Sequence, residues 1–490
     1  MEVVVSGALL LLCVLLPLLF STCTMYRRKG QLPPGPAPWP FLGNLLQKDA
    51  LPLYKCYPKL MEKYGSIFTV WMGPRPLVVL CGYEVVKDAL VGHAEVFGGR
   101  SAIPIHDRVS NSQGLLKSGS EIKWRELRRF TLSTLREFGM GKKAMSERVQ
   151  KEALCLVEEV ATTQGKPFDP RRIITSAVCN VICFVLYGSR FDYTDENLIE
   201  HLRIMDNRFK FLCSYYGTVY SAMANIMDYL PGWHKKIMAE AKKMCAFIRA
   251  KVESHRLTLD PQNPRDYIDC FLMKSEKDQI SPENVYNSEE LVMCVFDLFL
   301  AGSITTSNTL LYGLLVMAKL PHIQAKVQQE IDDVLGGNHT AGMEERMRMS
   351  FTNAVIHEIL RFRKTAAEVF PRELTCHTEF RGYTLTKGTA ATALLTSVHF
   401  DPLQWETPEK FNPQHFLDEK GQFRKRDAFM AFSAGKRACP GEALARTELF
   451  LFFSILLQNF TFQLVEDGQN IDITSFKQRD QYPLIRAIRR

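Results

Sequence analysis

The sequence lacks a disulfide framework: its thirteen cysteines are scattered, odd in number and irregularly spaced. That excludes a small oxidised scaffold and reads as a chain kept in a reducing compartment. Concentrated charge is also absent. A formal net charge of +8 over 490 residues is too mild to argue for nucleic acid; it suits an anionic membrane surface or an acidic protein partner. No Gly-rich dinucleotide fingerprint follows a strand, and no second domain for a flavin is recognisable. Beyond residue 45 there is no long Pro/Gly/Ser linker, low-complexity tract or internal repeat. With 46% hydrophobic residues, one large mixed domain is a serious alternative to the two or three that length alone suggests.

What is there begins with a nearly uninterrupted apolar run, Val3 to Phe20. With its flanks it reaches the roughly twenty residues needed to cross a bilayer. Glu2 precedes it and Arg27, Arg28 and Lys29 follow, which puts the N-terminus in the lumen and the rest of the chain in the cytosol. A cleaved signal peptide is the competing reading, since Ser21, Thr22 and Cys23 are small enough for cleavage, but the basic cluster lies on the wrong side for one. The expected organisation is a transmembrane signal anchor over 1–24, a basic and proline-rich hinge over 25–45, and a main domain over 46–490. The hinge carries Leu32-Pro33-Pro34-Gly35-Pro36, then Pro38 and Pro40, and cannot be helical.

Over 50–90 the order predicted is helix, strand, strand, helix, with strands at Ser66–Met72 and Pro76–Cys81 around Gly73-Pro74. Helical periodicity dominates from about 120 to 360. The longest element opens at Asn287 with a capping box to Glu290 and runs to about Leu320, before Pro321 starts another helix. More than thirty helical residues span on the order of 45–50 Å, so this helix passes through the domain's centre. The fold class is mainly α with a small β-rich part.

Several constellations carry chemistry. Cys439 lies in Phe432-Ser-Ala-Gly-Lys-Arg-Ala-Cys-Pro-Gly441, bracketed by Gly435 and Gly441, with Arg437 two residues upstream. Exposed amides and a cation favour a thiolate. A single thiolate without a second cysteine or histidine cannot build a tetrahedral zinc site; it can serve as one axial ligand of a haem iron. A helix is expected over Glu442–Leu457, its positive end toward the sulfur. Glu358 and Arg361 share a helix face. Trp124 and Arg128 stand four apart, and their two donors suit a carboxylate. In the long helix, Ala301 and Gly302 remove bulk so that a flat group can approach the backbone, and Thr305 can bond back up the helix or to water.

The cysteine decapeptide resembles the Phe-x-x-Gly-x-Arg-x-Cys-x-Gly haem loop of the cytochrome P-450 family at all five fixed positions. Glu358-x-x-Arg361 followed by Pro408-Glu-Lys-Phe-Asn-Pro-Gln-His-Phe416 resembles the family's helix charge pair and meander. The likeness covers essentially the whole chain, with the flavour of family 2 of the vertebrate microsomal enzymes in Phe138-Gly-Met-Gly141 and Phe380-Arg-Gly-Tyr383.

The resemblance implies the P-450 fold and haem b with Cys439 as its axial ligand. It assigns Arg100, Trp124, Arg128, Arg372 and Arg437 to the haem propionates, and Ala301, Thr305 and Phe432 to haem contacts. Thr305 and Ser303 are the catalytic candidates, and Glu358, Arg361 and His415 are structural. Ile105, Leu115, Phe296, Ala301, Val369 and Phe370 fall at substrate positions, with Glu368 an unusual charge beside them. The implied activity inserts one atom of O2 into a lipophilic xenobiotic, fatty acid or steroid. Electrons would come from NADPH through a separate reductase, NADPH-cytochrome P-450 reductase, with cytochrome b5 as a possible second donor. Arg125, Lys142, Lys143, Arg424, Lys425, Arg426 and Lys436 form the expected basic docking face, and the implied location is the endoplasmic reticulum membrane. One departure stands out: Ile304 takes the place of the family's usual acid and Ser303 that of a Thr. This puts proton delivery in doubt and leaves two other readings open, a peroxide-rearranging enzyme that needs no reductase and a haem or lipid binder without turnover. If dioxygen is activated, the relay is expected through Ser303, Thr305 and water, with Ile304→Glu improving it.

Overall fold

The structure is a computed structural model that describes residues 22–23, 27, 31–138, 140, 143–278, 285–337, 339–363, 370–465, 471–473 and 482–490. Nearly all of the expected anchor (1–21 and 24), Arg28, Lys29, Gly141, Lys142, Glu368 and Val369 lie outside the described residues.

The chain is mainly helical with small sheets. The expected early order is found: helix Leu53–Tyr64, strands β1 (Ile67–Met72) and β2 (Arg75–Leu80), then helix Tyr83–Lys87. The hairpin closes at Gly73, whose φ of +62° is a conformation glycine adopts freely. From Pro34 onward the proline-rich stretch belongs to this sheet's surroundings. Thr69 N donates to Pro34 O at 2.9 Å, Trp71 N donates to Asn44 Oδ1 at 2.6 Å, and a Cβ on Gly35 would meet Thr69 O at 1.9 Å. The body therefore starts about ten residues earlier than composition suggested.

The remaining strands are β3 (Gly99–Arg100), β4 (Arg372–Glu373), β5 (Thr378–Phe380), β6 (Tyr383–Leu385), β7 (Ala390–Ala393), β8 (Phe460–Leu464) and β9 (Ile485–Arg489). The main sheet runs β1-β2-β7-β4-β3. β2 and β7 are parallel. β3 and β4 are antiparallel and place Arg100 directly opposite Arg372.

The long helix is Ser288–Lys319, and Pro321 opens the next helix at its first position. Asn287 caps it by accepting from Glu290 N at 2.9 Å. The Glu290 carboxylate does not complete a capping box. It accepts from Gly114 N at 2.7 Å and lies 2.7 Å from Lys123 Nζ. This helix is long and apolar enough to cross a membrane by composition, but 72% of its most apolar window is buried. It is the core helix, in the largest apolar cluster with helices Arg171–Tyr187 and Glu442–Asn459. A second cluster, around Val78, Ala354, Phe416 and Met430, underlies the cysteine loop.

Candidate functional site

The cysteine loop is shaped by its backbone. Ser433 and Gly435 both have positive φ, and a Cβ on Gly435 would sit 1.7 Å from Leu90 O, so only glycine fits there. Residues Gly435–Arg437 make a short 3-10 turn, Cys439 N donates to Phe432 O at 3.0 Å, and helix Glu442–Asn459 follows. Cys439 is exposed. Desolvation nonetheless raises its thiol pKa, and the Gly441 N–H and the Arg128 charge offset this only in part. The cation that acts on the sulfur is thus Arg128, not the expected Arg437. Left to itself the group is a thiol; a coordinating metal ion would deprotonate it outright.

Arg437 turns away from the sulfur. Its guanidinium lies 3.5 Å from the centre of the Trp124 ring, and its Nε donates to Gly98 O at 2.9 Å. Trp124 is buried and donates its indole N–H to Leu115 O at 3.0 Å, so that donor is already engaged. Arg128 Nη2 donates to Ala438 O. Arg100 Nη1 donates to Phe370 O at 2.6 Å and Arg372 Nη2 to Ser433 Oγ at 3.2 Å.

None of these four arginines forms an ion pair with a carboxylate among the described residues. Burial and mutual repulsion push Arg100, Arg372 and Arg437 down to about 9 each. Like charges facing each other across β3 and β4 cost stability, and Arg100 Nε is buried with no partner. Such a cluster is built for anionic groups supplied from outside the chain. The residues present therefore fit a thiolate-bound haem with two propionates.

On the long helix, Ala301 and Thr305 are exposed while the residues around them are mostly buried. Thr305 Oγ1 donates to Ala301 O at 2.8 Å, one of the two bonds expected of it. Ser303 is fully buried and its Oγ has no partner. Two residues apart on a helix means about 200° of rotation, so Ser303 and Thr305 face opposite ways and no direct relay joins them. Ile304 is 8% exposed and packs in the main apolar cluster; its side chain belongs to the core. Gly302 lies against the neighbouring helix, where a Cβ would come 3.0 Å from Ile182 Cγ1, so its missing side chain serves helix packing.

Among the expected pocket residues, Leu115 and Phe370 are half-buried. Ile105 and Phe296 are sealed in apolar clusters at 0% and 1% exposure. The structural group forms a buried lock: Arg361 and Glu358 pair through two 2.7 Å bonds. His415 Nδ1 stands 3.3 Å from both Glu358 oxygens, and Asn412 N donates to Glu358 at 2.8 Å. The expected basic face is largely neutralised locally. Lys436 pairs with Glu95 and Glu121, Arg125 with Glu121, Arg424 and Arg426 with Glu406, and Lys143 with Glu344.

Sequence reasoning read Glu290 only as a capping residue and missed the buried acids Asp297 and Glu448. Glu290 and Asp297, two turns apart on the long helix, both hold the loop at 114–116; Leu116 N donates to Asp297 Oδ2 at 2.9 Å. Their spacing inside an apolar run was the available signal. Glu448, on the helix after Cys439, is fully buried beside Thr306, and burial raises its carboxyl to about 8.

Comparison with known proteins agrees with this geometry. The family model described as Cytochrome P450 matches residues 33–482. Among similar curated proteins, cytochrome P450 2C20 of Macaca fascicularis is 46% identical over 466 residues, covering 95% of each chain. Cytochrome P450 2C8 of Homo sapiens is 45% identical over 466 residues, again 95% of each, and cytochrome P450 2B9 of Mus musculus is 44% identical over 469 residues, 96% of this chain and 95% of that one.

Proposed function

The chain belongs to the cytochrome P450 family and is a monooxygenase of that kind, and from that premise we propose that it binds haem b through Cys439 and hydroxylates a lipophilic substrate. The observation that carries the reading is the pairing of an exposed loop cysteine with four arginines that lack carboxylate partners among the described residues. When bound, a thiolate-ligated haem activates O2 so that one oxygen atom enters a C–H bond and the other leaves as water, consuming two electrons and two protons.

The chain's own residues supply the rest. Arg100, Arg372 and Arg437 would hold the two propionates, regaining interaction for guanidinium groups that burial has destabilised. Arg128 and the Gly441 N–H favour the thiolate form of Cys439. Thr305 presents a hydroxyl on the exposed stripe of the long helix; it donates its O–H to Ala301 O, so its oxygen can accept a hydrogen bond from water. Glu358, Arg361 and His415 hold the meander beneath the cysteine loop. The missing acid at 304 does not favour the peroxide-rearranging alternative, because Ile304 sits in the apolar core.

The electrons would come from NADPH-cytochrome P-450 reductase, with cytochrome b5 as a second donor, and the location would be the endoplasmic reticulum membrane with the main domain in the cytosol. Because the local cations are largely paired, a few unpaired charges and surface shape would guide that docking more than a strong basic field. The test is a reduced carbon-monoxide difference spectrum of the purified full chain, then NADPH consumption and product formation with the reductase. A thiolate band with substrate-dependent product supports the proposal. A thiolate band without turnover favours the binder, and turnover with an organic hydroperoxide alone favours the rearrangement enzyme.

A further inference from the structure

Arg208 lies on helix Glu196–Cys213 at 2% exposure. Its Nε and Nη1 are buried without a hydrogen-bond partner, and no carboxylate pairs with it among the described residues. Its one side-chain bond is long, Nη2 to His106 Nδ1 at 3.5 Å. The guanidinium stands 5.3 Å over the Phe296 ring. His106 in turn has an unpartnered Nε2, 3.8 Å from Asp297 Oδ1. Burial lowers Arg208 only to about 10, so it stays charged, while His106 falls to about 3 and is neutral. A buried cation with donors unmade is costly unless something satisfies them.

Its position says what that something is. Asp297, Ala301 and Thr305 are spaced four apart and share one helix stripe, and the last two are exposed. Arg208 and His106 therefore sit at one end of the stripe that ends at Thr305. The side chains packed around them, Phe296, Ile105 and Leu116, are apolar. Burial raises the Asp297 carboxyl to about 7, so the site offers one cation and no second; that matches a monoanion with an apolar tail better than a doubly charged phosphate, whose second charge would have no partner. Resting on the monooxygenase reading above, we propose that Arg208 is a specificity-determining residue that anchors the carboxylate of an acidic lipophilic substrate, such as a fatty acid. Eight residues of helix separate Asp297 from Thr305 by about 12 Å, so oxidation falls on the half of the chain far from the carboxylate.

The experiment uses the full-length haem-loaded chain and compares dodecanoic acid with methyl dodecanoate by calorimetry, with the haem spin-state shift as a second readout. The acid is expected to bind on the order of tenfold or more tightly than the ester, as a charge-assisted bond should give. Arg208→Gln is expected to bring that ratio close to one while leaving ester binding nearly unchanged. Should Arg208→Gln not fold, Arg208→Lys is expected to lower the ratio, because a point charge replaces a rigid fork of donors. A wild-type ratio near one, a ratio unchanged by either variant, or hydroxylation next to the carboxylate overturns the proposal. The reduced carbon-monoxide band reports separately on thiolate ligation. A normal band with no acid preference sinks this inference alone; a missing band with the preference intact sinks the monooxygenase reading alone.

Discussion

Cys439 is a thiol whose pKa burial raises, so its thiolate form depends on the iron as much as on the loop. Cys439→Ala is expected to abolish the thiolate carbon-monoxide band, and a retained band would remove the assignment. The neighbouring argument about protons changes once side chains have places. Ile304 packs in the core, so Ile304→Glu would bury a charge with no partner. It is expected to lower stability by about 3 kcal/mol or more, read as a lower thermal midpoint, and not to improve product formed per NADPH. Thr305 is the exposed hydroxyl. Thr305→Ala is expected to divert electrons to hydrogen peroxide by a factor within about 10²–10⁴ for general acid–base help. Ser303→Ala, on the opposite face, is expected to leave the product-to-NADPH ratio unchanged. Measuring that ratio in both variants separates a threonine relay from a relay shared with Ser303.

At the scale of elements, buried charge ties the helix Ser350–Phe362 to the segment 399–415. The Glu358–Arg361 pair is completely buried, and Arg361 also donates to the carbonyls of His399, Pro408 and Lys410. Arg361→Met leaves Glu358 uncompensated, so a loss of about 3–5 kcal/mol is expected, with haem loading falling in parallel in denaturant titrations. Glu448 acts differently. Its folded pKa of about 8 lies above the value of 4.5 for a free glutamate, so between those limits the folded state binds more protons than the unfolded one. Stability contributed by the neutral carboxyl is therefore fully present below about pH 4.5 and is lost as pH rises through 8. Glu448→Gln is expected to flatten this fall, so the variant's thermal midpoint exceeds that of the wild type at pH 8.5 by more than at pH 5. Equal differences at both pH values would show that Glu448 is already ionised in the fold.

For the whole molecule, what could be read in the sequence was what short segments decide. The β1–β2 hairpin, the Asn287 cap, Pro321 at a helix start and the cysteine loop each rest on a few consecutive residues. The paired arginines at 100 and 372 came only from a family resemblance, since their strands are two residues long and carry no period. Arg208, His106 and Asp297 were invisible because their contact joins positions 102 residues apart on three separate elements. The tie between the proline-rich segment and the body was invisible for the same reason: proline content marked 25–45 as a semi-rigid hinge, and Pro34, Gly35 and Asn44 are held to β1 by bonds and close contacts between distant positions. That last point sharpens the truncation experiment. Removing residues 1–30 deletes the apolar run but none of the residues that bind β1, so the haem domain is expected to fold and to give the thiolate band. Removing residues 1–45 also deletes the Asn44 bond to Trp71 and the Pro34 bond to Thr69, exposing the β1 edge. This longer deletion is expected to lower the thermal midpoint and the yield of loaded protein. Equal midpoints for the two truncations would mean that the proline segment adds nothing to the body. Membrane flotation of the shorter truncation reads the other half of the argument. Exposed Trp39, Leu46, Tyr229 and Leu230 remain in it, so association with vesicles is expected to weaken without disappearing.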